Sequence, residues 1–438
     1  MGDSLFSIRF FPALAHAGLV VLTGLTARNL GGERFAQALA SLSVLLAPVF
    51  LLCGHFLTTA LEPMWTVCAF LLILILRDHR PKLWLWFGVA AGIGLLNKHS
   101  MVFWGFGVVL GLLLTAREEF RSRWIWSGAG LALLVALPTL LWEQQHHWVT
   151  LQALREARDF NRLPFSLTNF WLTQVVLNGH LSLPVWLAGI FFFLISKTGR
   201  RYQAIGIAFL AVVAFLTLEN GKAYYLSAAF PVILAGGAVQ ISEWLNKWQA
   251  RWLRPALLAA FAIWGIFWMP MALPVLSPPS LIRYQNLLRF HGSVFEKSDI
   301  GAEIPTYFSN MIGWPELVQA VAQAYQRVPA AERSQTAILA NNYAQAAAVD
   351  LLGSRYGLPK AISGHENYWF WGPRGYTGEK IIGIGYSPED AKRNCANVEV
   401  AANVDVPYAP DWVNGPVIIC SNLKPTLREL WPNLQRFH

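Results

Sequence analysis

Apolar runs recur along the first two thirds of the chain, at about 7–27, 35–55, 60–76, 84–97, 101–115, 125–142, 182–196, 204–218, 223–241 and 255–273. A membrane span needs about 20 predominantly apolar residues. Several runs are a little short, but their recurrence predicts an α-helical polytopic membrane protein of about ten spans. The segment "SLTNFWLTQVVLNGHL", residues 166–181, is different: it is amphipathic and carries Asn169, Gln174, Asn178 and His180. Counting it as a span would reverse every later loop, so it reads as an interfacial helix. After "PVLSPPS" the pattern changes. "TAILANNYAQAAAVDLL" reads as strand, loop and helix, and "EKIIGIGY" and "GPVIICS" read as further strands. The expected organisation is a membrane domain over 1–274 and a small soluble α/β domain over 275–438.

Composition agrees with this pattern. Hydrophobic residues make up 55% of the 438, charged residues only 13%, and mean hydropathy is +0.40. Soluble domains carry about 25% charged residues. The net charge of +9 is unevenly placed: from residue 275 onward there are 14 Lys+Arg and 14 Asp+Glu, so the excess lies in the membrane part. This argues against a nucleic-acid-binding domain and for basic loops at a membrane surface.

The connections alternate. "RNLGGER", "RDHRPK", "REEFRSR", "KTGRR" and "KWQARWLR" together hold 14 Lys+Arg. "GHFLTTALE", "NKHS", the segment 143–181 and "ENGKAYY" hold five. Basic loops stay in the cytoplasm, so the second set and the C-terminal domain are expected outside. Cys53 and Cys68 fall in apolar runs and read as small core residues. Cys395 and Cys420 lie in the C-terminal part, where an extracytoplasmic location would permit a disulfide, although spacing alone does not fix their proximity.

The polar residues expected at the outer face are His55, Thr58, Thr59 and Glu62; Lys98 and His99; Glu143, His146 and His147; and Glu219, Lys222, Tyr224 and Tyr225. Ionisable groups at membrane depth are expensive and tend to be functional. Two lysines and two tyrosines suit an anionic headgroup, with lysine acting as a compact phosphate-binding charge. Each piece also has a plainer reading. The tyrosines suit an interfacial belt, Lys98 a helix end from which it snorkels, and Glu62 the favourable end of a helix dipole. His146 and His147 are adjacent and face different directions on a helix. No HExxH, CxxC, Gly-rich phosphate loop or GxSxG elbow occurs.

The stretches "RFFPALAHAGLVVLTGLTARNLGG", "GHFLTTALEPMWTVCAFLLI", "GVAAGIGLLNKHSMVFWGFG", "LPTLLWEQQHHWVTLQALREAR" and "GKAYYLSAAFPVILAGGA", in this order and spacing, resemble the bacterial family-39 glycosyltransferases. These belong to the membrane-embedded GT-C superfamily, with the protein O-mannosyltransferases and the lipid A aminoarabinose transferase. The tail "LANNYAQAAAVDLLGSRYGLPKAISGHENYWFWGP" looks like the C-terminal domain of one bacterial branch. The resemblance implies a GT-C-like fold in the bacterial inner membrane. It also implies an inverting transfer of a sugar from a polyprenyl-phosphate donor to an extracytoplasmic lipid, glycan or protein acceptor.

By the same resemblance, Lys98 takes the family's "TK/NK" position. Lys222 with Tyr224 and Tyr225 takes a "GKPYY"-like position, with Ala223 for the usual proline. These four would hold the donor phosphate, with His55, His99 and Glu219 in the surrounding pocket. The family's base is an aspartate in the first large outer loop, and only "MGDSLF" precedes the matching region. Asp3 does not match an acidic pair. The expectation is therefore that the first span and catalytic loop are missing, which leaves Glu62 as the best remaining carboxylate. Relatives often depend on a divalent metal ion, yet no ligand set stands out here. Two rival readings use the same features. One is a transporter or flippase for a lipid-linked or anionic solute, and the other is an inactive truncated fragment. No clear repeat relates the two halves, and the polar residues cluster toward one face, which favours an enzyme.

Overall fold

The computed structural model describes residues 4–56, 63–160, 165–290 and 301–437. The chain forms two compact units, one of residues 1–148 with 164–276 and the other of residues 149–163 with 277–438.

In the first unit every apolar run carries a helix. α1 spans Leu5–Asn29, α2 Arg34–Leu45, α3 Pro48–Phe56, α4 Pro63–Asp78, α5 Leu83–Asn97, α6 Met101–Thr115 and α7 Arg123–Gln145. α8, Val149–Phe160, belongs to the second unit. α9 spans Leu167–Asn178, α10 Leu183–Leu194, α11 Gln203–Leu218, α12 Phe230–Lys247 and α13 Leu253–Trp268. A 3-10 segment, Ala223–Ala229, leads directly into α12. Among the described residues five helical stretches are long and apolar enough to cross a membrane, or seven if each of two bent pairs counts as one span. α5 and α6 are apolar but shorter.

Both bends have local causes. α2 and α3 diverge by 61°, where Pro48 follows Ala47 and disfavours continued helix in the residue before it. α9 and the helical run into α10 diverge by 102° at Gly179, whose φ is +84°. A side chain there would also meet the Trp264 ring, 2.6 Å from an added Cβ. α9, Leu167–Asn178, is thus separate in direction from the run His180–Leu194 that follows it.

Where the solvent is hydrocarbon, helices gain little from burying apolar side chains against each other, so close approach of backbones becomes the main source of packing energy. The long helices pair on that basis. Gly107 and Gly111 of α6 lie against Ala208 and Ala204 of α11, and Gly88 of α5 lies against Gly128 of α7. Gly237 of α12 is so close to α10 that an added Cβ would stand 1.8 Å from the Val185 carbonyl oxygen. Hydroxyls inside these helices bond their own backbone: Thr23 to Leu19, Thr26 to Leu22 and Ser43 to Leu39, all within 2.8 Å.

The basic connections meet one another. Arg77, after α4, donates to the Asn29 carbonyl and side chain at 3.1 and 2.7 Å. Arg254, at the start of α13, reaches Glu33 before α2 at 3.1 Å.

The second unit contains a five-stranded sheet of order β2-β1-β3-β5-β4. β1 is Thr336–Ala340, β2 Ile362–Ser363, β3 Lys380–Ile384, β4 Cys395–Val404 and β5 Gly415–Leu423. β2, β1 and β3 run parallel, while β5 is antiparallel to β3 and to β4. The helix Tyr343–Leu352 connects β1 toward β2 and starts with a capping box between Asn342 and Gln345. The helix Trp314–Arg327 buries Leu317, Val318, Val321 and Ala324 against the sheet, in a core with Ile338, Ile382, Val417 and Ile419. Tyr368 donates to Asp350 at 3.1 Å. Burial, with the Asp350 carboxylate adding to it, pushes that phenol well above its usual range.

β1, β3 and β5 match the sequence reading. β4 is additional: it is an edge strand with most residues at least partly exposed, so its apolar alternation is weak. It explains the cysteines, because Cys395 on β4 and Cys420 on β5 form a disulfide with Cα atoms 5.6 Å apart.

Two outcomes test this packing. Gly237→Ala forces α12 away from α10 and is expected to destabilise the protein by roughly 1–3 kcal/mol, read as a lower melting temperature in detergent. Thiol titration of the unfolded, unreduced chain should find only Cys53 and Cys68 reactive, and Cys395→Ser should lower the stability of the second unit by about 2–4 kcal/mol.

Candidate active site

The stretch "ENGKAYY" is the only break between α11 and α12, and it is built as a turn followed by a tight helix. α11 ends at Leu218, Asn220 adopts φ +51° and Gly221 donates back to the Leu216 carbonyl at 2.6 Å. The chain then extends at Lys222 and winds into the 3-10 segment Ala223–Ala229. That segment packs on α4, α9, α11 and α12, and its last four residues, Leu226 to Ala229, are buried. Lys222, Tyr224 and Tyr225 are half-buried at its start.

The second lysine comes from another connection. α5 stops at Lys98, whose amide donates to the Gly94 carbonyl while its backbone turns extended. This places the Lys98 ammonium 4.8 Å from the centroid of the Tyr225 ring and 5.9 Å from that of Tyr224. Lys222 lies 5.9 Å from the Tyr224 ring on its own account, and the two tyrosines pack edge to face at 4.7 Å. Two cations thus share one pair of aromatic rings. Each ring face gives an ammonium about 0.5–1 kcal/mol when exposed. The arrangement is suited to an anion with oxygens for two ammonium groups and for the tyrosine hydroxyls.

The other residues singled out from the sequence fall in three places. His99 and Glu219 are exposed beside the two lysines in sequence. His55 lies in the last turn of α3. Glu143 is buried at the end of α7, and His146 stacks on Trp142 with centroids 4.3 Å apart, whereas His147 is exposed. Asp3, Thr58, Thr59 and Glu62 lie outside the described residues. No group of three metal-ligating side chains is found among the described residues.

The sequence reading did not assign α9 to this site. Its inner face carries Phe170, Gln174, Leu177 and Asn178, all buried. The Gln174 amide donates to the Ala223 carbonyl at 2.7 Å, and the Asn178 amide donates to the Gln174 carbonyl at 3.0 Å. The signal was present as two amides four residues apart on an amphipathic segment, but their target, residue 223, is 49 positions away.

Comparison with known proteins bears on this arrangement. Residues 1–142 match the model of the dolichyl-phosphate-mannose-protein mannosyltransferase family. The lipid A galacturonosyltransferase RgtD of Rhizobium johnstonii is 22% identical over 251 residues, 56% of this chain and 53% of that protein. The chain thus matches about half the length of that relative. The crystal structure of apo ArnT from Cupriavidus metallidurans superposes with a TM-score of 0.54 at 14% identity, over 94% of this chain and 83% of that one. The GT-C-like fold expected from the sequence is therefore present, and the chain is a multi-pass membrane protein that is similar, over part of its length, to membrane glycosyltransferases of the family-39 type.

Proposed function

We propose that this protein is a membrane glycosyltransferase that takes a sugar from a polyprenyl-phosphate donor and passes it to an extracytoplasmic lipid, glycan or protein acceptor. The observation that carries the reading is the convergence of Lys98 and Lys222 on Tyr224 and Tyr225 from connections more than a hundred residues apart. The kinship with glycosyltransferases supports it, and no feature of the described residues favours a transporter.

In this reading the lipid phosphate is the leaving group. Breaking the bond between the sugar and the phosphate oxygen puts negative charge on that oxygen. Lys98 and Lys222 hold their charges where it develops, and the tyrosine hydroxyls donate to the remaining oxygens. Preorganised charge of this kind contributes about 10²–10³-fold in rate. His55, His99 and Glu219 would surround the headgroup, and Glu62 is the best remaining carboxylate, with no residue assigned as the base. The inverting outcome follows from a single displacement at the anomeric carbon, with the acceptor entering opposite the phosphate.

We place the site on the outer face of a bacterial inner membrane. The uneven distribution of Lys+Arg between the two sets of connections supports this. So does the disulfide of the second unit, since disulfides persist in oxidising compartments.

Two experiments test these statements. With membranes and a polyprenyl-phosphate sugar, Lys98→Ala and Lys222→Ala should each lower transfer by about 10²–10³-fold, while Tyr225→Phe should cost less than about tenfold, the worth of one neutral hydrogen bond. Unaltered transfer in both lysine variants would reduce the cluster to an interfacial belt. For orientation, cysteines replacing Arg200 and Arg251 should resist an impermeant thiol reagent in intact cells, whereas one replacing the exposed Ser354 should react. The reverse labelling pattern would invert the topology.

A further inference from the structure

We infer that Gln174 is the positioning residue of the donor-phosphate turn: its side-chain amide holds the Ala223 carbonyl and so fixes Lys222 and Tyr224, the residues on either side of it, for the phosphate. This rests on the reading of Lys98, Lys222, Tyr224 and Tyr225 as the donor site.

The hydrogen-bond pattern identifies the role. A glutamine side chain offers one acceptor oxygen and one NH₂ donor, which are told apart only by their partners. Here the partner of the nitrogen is a carbonyl oxygen, Ala223 O at 2.7 Å, so the NH₂ must face the turn. Asn178, one helical turn further along α9, is oriented in the same way, with its nitrogen 3.0 Å from the Gln174 carbonyl. Both side chains are fully buried, at 0% exposure. Their remaining oxygens, Gln174 Oε1 and Asn178 Oδ1, have no hydrogen-bond partner among the described residues. A buried amide with half its capacity unmet is worse for packing than a leucine of similar size. Packing alone therefore does not account for glutamine at 174, and the bond to Ala223 is what this side chain adds.

The place of that bond gives it consequence. Ala223 is the first residue of the 3-10 segment and directly follows Lys222, whose backbone is extended. The preceding turn carries Asn220 at φ +51° and a glycine, and its own backbone bonds run back to α11, Gly221 N to the Leu216 carbonyl at 2.6 Å, so they do not tie the junction to α9. Gln174 ties the junction to α9 at the point where the lysine leaves the helix. α9 in turn is held by its buried face and capped by Ser166, whose hydroxyl accepts from Asn169 N at 3.3 Å. An ammonium group displaced by even an ångström loses much of its effect on a developing charge.

The test uses the full chain in lipid nanodiscs, with polyprenyl phosphate as the probe and hydrogen exchange of residues 219–229 as the second readout. Gln174→Leu is expected to keep the melting temperature within a few degrees, to speed exchange of the amides at 222–226, and to weaken polyprenyl-phosphate binding about tenfold. Asn178→Leu removes an equally buried amide from the same face without touching the turn, and should leave that exchange unchanged. Gln174→Glu gives a readout that a packing role would not move. Its neutral carboxyl can donate to Ala223 O and its carboxylate cannot. Binding relative to the unsubstituted protein at the same pH should therefore recover on acidification and be lost again as the pH rises. Unchanged exchange or unchanged binding in Gln174→Leu, with Lys222→Ala weakened, overturns the inference and leaves the donor site standing. Full binding by Lys98→Ala and Lys222→Ala overturns the donor site itself, and this inference with it.

Discussion

The absence of water at membrane depth governs this structure. A backbone or side-chain polar group there finds its partner inside the protein or goes without. Helices satisfy their own backbones, so the energetic cost falls on the places where helices stop. The break between α11 and α12 is the most demanding of these. It contains a left-handed asparagine, a glycine, an extended lysine and a tight 3-10 segment. Its partners come from α9 through Gln174, from α5 through Lys98 and from the rings of Tyr224 and Tyr225. The candidate site is thus built from the same interactions that hold the connection between α11 and α12.

Close helix packing supplies the rigid frame around that break. α5 with α7, α6 with α11 and α10 with α12 approach through glycine and alanine, so their relative positions are set by backbone contact. Backbone contacts leave little slack, unlike contacts between flexible side chains. Lys98 ends α5 and Lys222 immediately precedes the 3-10 segment between α11 and α12, and all three helices belong to these pairs. A frame of this kind brings Lys98 and Lys222 to the same pair of tyrosine rings.

The second unit follows the rules of a water-soluble protein. It has an amphipathic helix over a mixed sheet, a capping box, a disulfide and a tyrosine–aspartate bond. Its charge is balanced, with 14 Lys+Arg and 14 Asp+Glu from residue 275 onward.

The sequence by itself determined the helices of the first unit and the strands β1, β3 and β5, and it pointed to polar residues worth attention. Each of these is local: apolar run length, the sign of loop charge and the strand pattern around "TAILA" are all written within some twenty residues. It also gave Lys98, Lys222, Tyr224 and Tyr225 as a group, through resemblance and the shared sign of their connections. Tertiary structure decided the rest. The boundary between the units is not a single point, because α8 joins the second. β4 was hidden since an edge strand with exposed side chains has no strong period. Cys395 and Cys420 were visible as candidates, but only the pairing of β4 with β5 brought them together. Gln174 could be seen as polar, yet its purpose depends on a carbonyl 49 residues away. A hydrogen bond to backbone leaves no mark in the sequence of its acceptor, because every residue has that carbonyl.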